Sequence, residues 1–194
     1  MIRIGAMLWV VATLAYFLAE AVAAAALPGY SYAADYISLL GQPNSSPHAT
    51  LMNAAFVAQG VLFPLGAMLL APGARAPKDL LFLAFAVLNG LGNIMVATVH
   101  SGAGERWHVV GAALAIVGGN AAVLAGSSAL RGQIPSPTYR VASVVLATVG
   151  LVGLIGTAFE SPAVGLWERG SVYPIFVWQA GTALCLLSRR SSAR

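Results

Sequence analysis

Pro28-Gly29-Tyr30-Ser31-Tyr32-Ala33-Ala34-Asp35-Tyr36-Ile37-Ser38-Leu39-Leu40-Gly41-Gln42 is the longest polar interruption in a chain of apolar runs and short turns. Proline lacks a backbone donor and glycine tolerates turn geometry, so Pro28-Gly29 stops a helix arriving from upstream. Ser31 suits an N-cap, and Gly41 sits where a helix C-terminus favours a left-handed residue. The spacing predicts a short helix between them, with Tyr32, Tyr36, Leu39 and Leu40 on one face and Asp35 and Ser38 set off from it. The expected setting is the membrane interface, with the tyrosines at headgroup level. The alternative turns Asp35 and Ser38 toward a hollow between membrane spans.

The rest of the chain makes a membrane setting the premise. Of 194 residues, 59% are hydrophobic and 8% charged, whereas a soluble domain carries about 25% charged residues. Six apolar stretches stand out, at 4–27, 51–71, 80–99, 108–130, 140–159 and 171–187. Most approach the roughly 20 helical residues that cross a hydrocarbon core of about 30 Å. Lipid offers backbone groups no partner, so each stretch must be a helix. The expected fold is an all-α integral membrane protein: one domain over 1–194, a six-transmembrane-helix bundle with a short interfacial helix in the first outer loop. Pro174 is expected in the first turn of the last span, where its missing donor costs little. The first stretch also has features of a signal peptide, but its apolar run is longer than the roughly 7–15 residues of a signal core. It is read as a span.

Charge sets the expected orientation. Arg3, Arg75, Lys78, Arg131, Arg140, Arg189, Arg190 and Arg194 fall on one side of a six-span chain, and only Arg106 and Arg169 on the other. By the positive-inside rule both termini are cytoplasmic, in a multi-pass protein of the plasma (inner) membrane. The net charge of +4 is thus a membrane-surface feature and gives no reason to expect nucleic acid. The outer side collects Asp35, Glu105, Glu160, Glu168 and all three histidines, His48, His100 and His108. Titratable groups gathered on one face are candidates for a site.

Few polar residues lie within the spans: Glu20, Asn53, Gln59, Asn89, Asn93, Asn120 and Gln179. Amides there usually hydrogen-bond between helices, and Asn89 and Asn93 share a face that could meet Asn120. Glu20 differs, because a carboxylate in a span calls for a partner or a function. Gly111, Ala115 and Gly119, and likewise Gly150, Gly153 and Gly156, form small-residue seams for close helix approach, within the chain or in a homo-oligomer. Cys185, the single cysteine, excludes an internal disulfide and reads as a small core residue.

Three motifs carry a family resemblance. Gly29-Tyr30-Ser31 with Asp35-x-Ile37-Ser38-x-Leu40-Gly41 resembles the opening signature of the bacterial and archaeal membrane family catalogued as domain of unknown function 998. Gly165-Leu166-Trp167-Glu168-Arg169, then Tyr173-Pro174 and Trp178, is similar to its closing signature, and Gly90-Leu91-Gly92 with His108 to its middle portion. Leu39 replaces an expected acidic residue, and Thr98-Val99 an expected Phe-Pro. The resemblance implies six spans and brings no assigned activity.

Chemistry must therefore be weighed residue by residue. A metal centre would draw on His48, His100 and His108 with Asp35 or a glutamate, but no His-Glu-x-x-His spacing fixes ligands on one helix face. Ser38, Asp35 and a histidine could make a nucleophilic set, yet no nucleophile elbow surrounds Ser38. Haem attachment and phosphate-cradling motifs are absent, and no cofactor is expected. Apart from Glu20, the spans lack the deep charges of an ion-coupled transporter. The expectation is a binding or accessory protein with Tyr30, Asp35, Ser38, His108, Glu168 and Arg169 as its outer-face site. It would hold a membrane lipid or small apolar ligand, or dock a partner membrane protein. Arg169 would pair with Asp35 or Glu168, or grip an anionic headgroup. The alternative function is a periplasmic-face metal-dependent lipid hydrolase. No catalytic set is assigned.

Overall fold

The computed structural model describes residues 1–71, 73, 75–101, 105–159 and 161–188. Six helices are long and apolar enough to cross a membrane: α1 (Ile2–Ala26), α2 (Ala49–Leu70), α3 (Pro77–Thr98), α4 (Glu105–Ala129), α5 (Pro137–Gly156) and α6 (Val164–Ser188). Among the described residues there is no strand. Pro77 and Pro137 each open a helix, where the missing N–H would have had no partner anyway. The Ser136 hydroxyl caps α5 by accepting from the Tyr139 N–H at 3.3 Å.

Each helix packs on its neighbours in sequence and α6 returns to α1, closing the ring; α4 also touches α6. That last contact pushes α5 to the periphery, where only 28% of its apolar window is buried, against 44–50% for the others. Val141, Val144, Val145, Val149 and Val152 accordingly face outward. Apolar side chains on both inner and outer faces are what a lipid-embedded helix carries.

Two crossings combine glycine with proline. Pro64 and Pro174 lie inside α2 and α6 and leave the carbonyls four residues back, of Gly60 and Gly170, without a helical donor. Gly90 packs against the Gly60 carbonyl and Gly153 against Gly170, each so close that a Cβ would collide with backbone. Backbone contact at a stripped glycine replaces what the ladder lost.

The structure corrects several expectations. α6 begins at Val164, so Pro174 lies in its third turn and Glu168 and Arg169 belong to the helix, not to a loop. The predicted helix over 31–41 is a set of turns followed by a five-residue 3-10 segment, Ile37–Gly41. Ile37 and Leu40 are its buried residues, while Tyr32 and Tyr36 are exposed. Gly41 has no positive φ; Gly29 does, at 77°, in the predicted turn. Cys185 is exposed on the bundle surface. Asn89 and Asn120 bond backbone carbonyls across helices, Ala115 at 2.7 Å and Ser171 at 3.0 Å, and not each other. Close small-residue crossings bring a neighbour's carbonyl nearer than its side chain. Glu160, Arg189, Arg190 and Arg194 lie outside the described residues.

The bundle has two unlike halves. The half carrying the chain ends (the terminal half) is filled by Trp9, Phe63, Phe82 and Trp178, with Trp9 centred 5.3 Å from Phe63 and 5.4 Å from Trp178. Both indoles are satisfied, Trp9 donating to the Phe63 carbonyl and Trp178 to the Ser143 hydroxyl, each at 2.9 Å. The opposite, distal half holds the 28–42 loop, buried charge and open volume.

Candidate functional site

Arg169, one turn into α6 and 5% exposed, faces Glu20 of α1, itself 1% exposed. Its Nε and Nη2 both reach Glu20 Oε1, at 3.1 and 3.0 Å. This is the one ion pair among the described residues. Tyr173, four residues further along α6 and so on the same face, donates its hydroxyl to Glu20 at 2.8 and 2.9 Å. A buried ion pair persists only when its remaining donors and lone pairs are met, and here they are.

The rest of the guanidinium holds the loop. Nη1 donates to the carbonyls of Tyr32 (2.7 Å), Asp35 (3.0 Å) and Gly165 (3.1 Å), and Nη2 to the Tyr30 hydroxyl (2.5 Å). Its plane also stands 4.5 Å from the Tyr32 ring centroid. Burial pushes the Tyr30 phenol up to about 12, with Arg169 opposing; burial raises Tyr32 and Tyr36 as well. All three are neutral phenols at physiological pH. Gly165 lets the loop backbone settle directly on α6, and Leu166 donates to the Ala33 carbonyl at 3.1 Å. The Glu168 carboxylate accepts the Ile37 N–H. Residues 28–42 therefore form a roof fastened from below by α6.

Beneath the roof lie two connected hollows. An inner chamber of about 40 Å³ sits among α2, α3, α4 and α6, with Gln59, Asn89 and Asn93 in its wall. A larger cavity of about 330 Å³ opens beside it, bounded by α4, α5 and the loop. Ser38, His108, Ala112, Ile116 and Glu168 line both. Val109, 59% exposed on the bundle surface, belongs to the larger cavity's wall, as do the exposed Tyr36 and Glu105. His108 is itself buried and donates Nδ1–H to the Val99 carbonyl at 2.7 Å. A carbonyl can only accept, so Nδ1 carries a proton.

Of the six residues expected at the site, Tyr30, Glu168 and Arg169 meet at the fastening, and Ser38, His108 and Glu168 meet at the junction of the hollows. Asp35 contributes its carbonyl alone. Its carboxylate accepts the Ser31 N–H at 2.7 Å and shapes the turn. The expected pairing of Arg169 with Asp35 or Glu168 is replaced by pairing with Glu20, and no donor is left over for a headgroup. His48 is exposed at the start of α2, apart from the cavities. Among the described residues no group of three or more His, Cys, Asp or Glu side chains could hold a metal ion, so His48, His100 and His108 form no such centre. Sequence reasoning marks Glu20 as costly but misses it as a partner of the site. The i, i+4 pair Arg169–Tyr173 is the signal that a span carboxylate has partners waiting.

The model of a family described as "Protein of unknown function (DUF998)" matches residues 10–185. No curated protein matches the chain, and no solved structure does.

Proposed function

We propose, for a chain that belongs to the DUF998 family, that the distal cavity binds one small amphiphile or lipid drawn from the bilayer. The observation that carries this is a hollow of about 330 Å³ lined by apolar residues (Val109, Ala112, Ala113, Ile116, Leu154) together with polar ones (Ser38, His108 and Glu168, with Tyr36, Ser101, Glu105 and Thr157). Ligand sites commonly have about 300–1,000 Å³ and a lining that combines the two. In this reading the ligand enters from lipid past the exposed Val109. The Glu20–Arg169 pair is then structural and keeps the roof closed over the cavity.

The hydrolase alternative has less support. Among the described residues Ser38 and His108 share no hydrogen bond, so nothing activates the serine. No observation favours a protein partner or a homo-oligomer over a ligand, because the small-residue seams are consumed within the chain. The arginine and lysine split supports cytoplasmic termini in an inner membrane, with the roof on the opposite side. Impermeant thiol labelling of an Asn44→Cys variant in intact cells checks it: labelling is expected, and protection until the cells are lysed would reverse the orientation.

The test of the ligand is mass spectrometry of lipids retained by protein purified in mild detergent. Wild type is expected to carry an amphiphile at about one per chain. Ala112→Phe, which fills the shared wall, is expected to lose it at least about tenfold while folding normally. Equal retention by both would end the proposal.

A further inference from the structure

Around the cavity the buried side-chain atom left wholly without a partner is an acceptor, Asn89 Oδ1. Asn89 gives Nδ2–H to the Ala115 carbonyl, Asn93 gives Nδ2–H to the Asn89 carbonyl, and His108 gives Nδ1–H to Val99. Carbonyls only accept, which fixes both amides with Asn89 Oδ1 and Asn93 Oδ1 as acceptors and places a proton on His108 Nδ1. Asn89 is 2% exposed, lines the inner chamber, and its Oδ1 is buried with no partner. Glu168 adds a carboxylate that takes the Ile37 N–H, one of its roughly four lone-pair sites. The donors that remain are the second N–H of each amide and the hydroxyls of Tyr16, Ser38 and Tyr36.

The charge has one sign. Two carboxylates, Glu20 and Glu168, stand beside one guanidinium, whose donors are committed to Glu20, Tyr30 and backbone carbonyls. Among the described residues no lysine or arginine lines either hollow, and Glu105 stands at the wider one. A carboxylate in a low-dielectric site calls for a cation in contact with it. The described residues supply none to Glu168.

We propose that the ligand supplies it: the amphiphile held here carries a protonated amine, whose N–H donors meet Glu168 at the junction of the hollows and face the unpartnered Asn89 oxygen in the inner chamber. This rests on the cavity being a ligand site and adds the class of headgroup. An anionic headgroup would face like charge at Glu168 and Glu105 and is disfavoured.

The experiment places full-length protein in phosphatidylcholine nanodiscs in mildly alkaline buffer and measures binding of dodecylamine, dodecanol and dodecanoate. Dodecylamine is expected to bind at least about tenfold more tightly than dodecanoate. Glu168→Gln is expected to shrink that preference below about threefold. Ala113→Lys, on the exposed face of α4 at the mouth, sets a competing ammonium beside the carboxylate without touching the roof and is expected to weaken dodecylamine alone. Dodecanoate binding as tightly as the amine, or a preference unchanged in both variants, overturns the headgroup assignment and leaves the cavity as a ligand site. Failure of all three compounds to bind, with Ala112→Phe retaining the wild-type lipids, overturns the cavity reading and this inference with it.

Discussion

The two halves of this bundle solve the same packing problem in opposite ways. In the terminal half four aromatic rings fill the centre, and each indole N–H has a partner. In the distal half rings pack too, Tyr16 against Phe56 and Phe176, but they share the centre with a charge pair, the Asn89 and Asn93 amides and a hollow. A chain selected only to cross a membrane could have repeated the first solution at both ends. Buried charge is expensive in lipid, and a cavity forfeits dispersion contacts on its lining. The distal half bears both costs, and the terminal half supplies the rigidity against which they are borne.

The largest test pairs one substitution from each half. Trp178→Ala empties the aromatic centre, and Arg169→Met strands Glu20 in the interior. Each is expected to destabilise by about 3–5 kcal/mol, through a cavity in the first case and an unpaired buried charge in the second. Thermal unfolding in detergent measures both. Ligand retention separates them, because only Arg169→Met releases the roof from α6. If Trp178→Ala lost ligand as completely, the halves would not be independent.

A smaller effect is expected at the crossing that walls the cavity. Gly92 of α3 packs so closely on α4 that a Cβ would overlap the Ala115 N and the Gly111 carbonyl. Gly92→Val is expected to cost about 1–3 kcal/mol by overpacking. It should also weaken ligand binding, since α4 carries His108 and Ala112. A destabilised variant with unaltered binding would show that the cavity tolerates movement of α4.

The smallest effect is a pH slope. The Tyr30 phenol rises in the folded state to about 12, from an unfolded value near 10. The folded chain thus holds its proton where the unfolded chain has released it. This contribution is intact below about pH 10 and is lost as pH climbs through about 12. Tyr30→Phe should flatten the alkaline fall in stability, and ultraviolet titration of tyrosinate should lose the phase near pH 12. An unchanged slope would place the high-pH loss in groups elsewhere.

Much of the architecture is legible in the residues alone. Six spans follow from apolar length, since nothing in lipid offers an alternative to the helix. The start of α6 is not legible, because Glu168-Arg169 reads as a polar loop; burial against Glu20 lets a charged turn continue the helix. The 28–42 segment reads as helical because its apolar spacing fits one, yet Arg169 and Gly165 hold its carbonyls in turns and override that propensity. Cys185 reads as a core residue from its apolar neighbours and lies on the surface. In a membrane helix lipid-facing and core-facing positions look alike, so burial cannot be read from hydrophobicity.

By itself, then, the sequence determined that this chain crosses a membrane six times, that its cations concentrate on one side, and that Glu20 needed a partner. Those conclusions depend on composition and length, which act locally and need no knowledge of neighbours. Only the tertiary structure decided that the partner is Arg169, 149 positions away, that Asp35 is a turn residue, and that Ser38, His108 and Glu168 share a hollow. Which lone pairs remain unmet depends on where every competing carbonyl lies, and that is settled only when the helices close on one another.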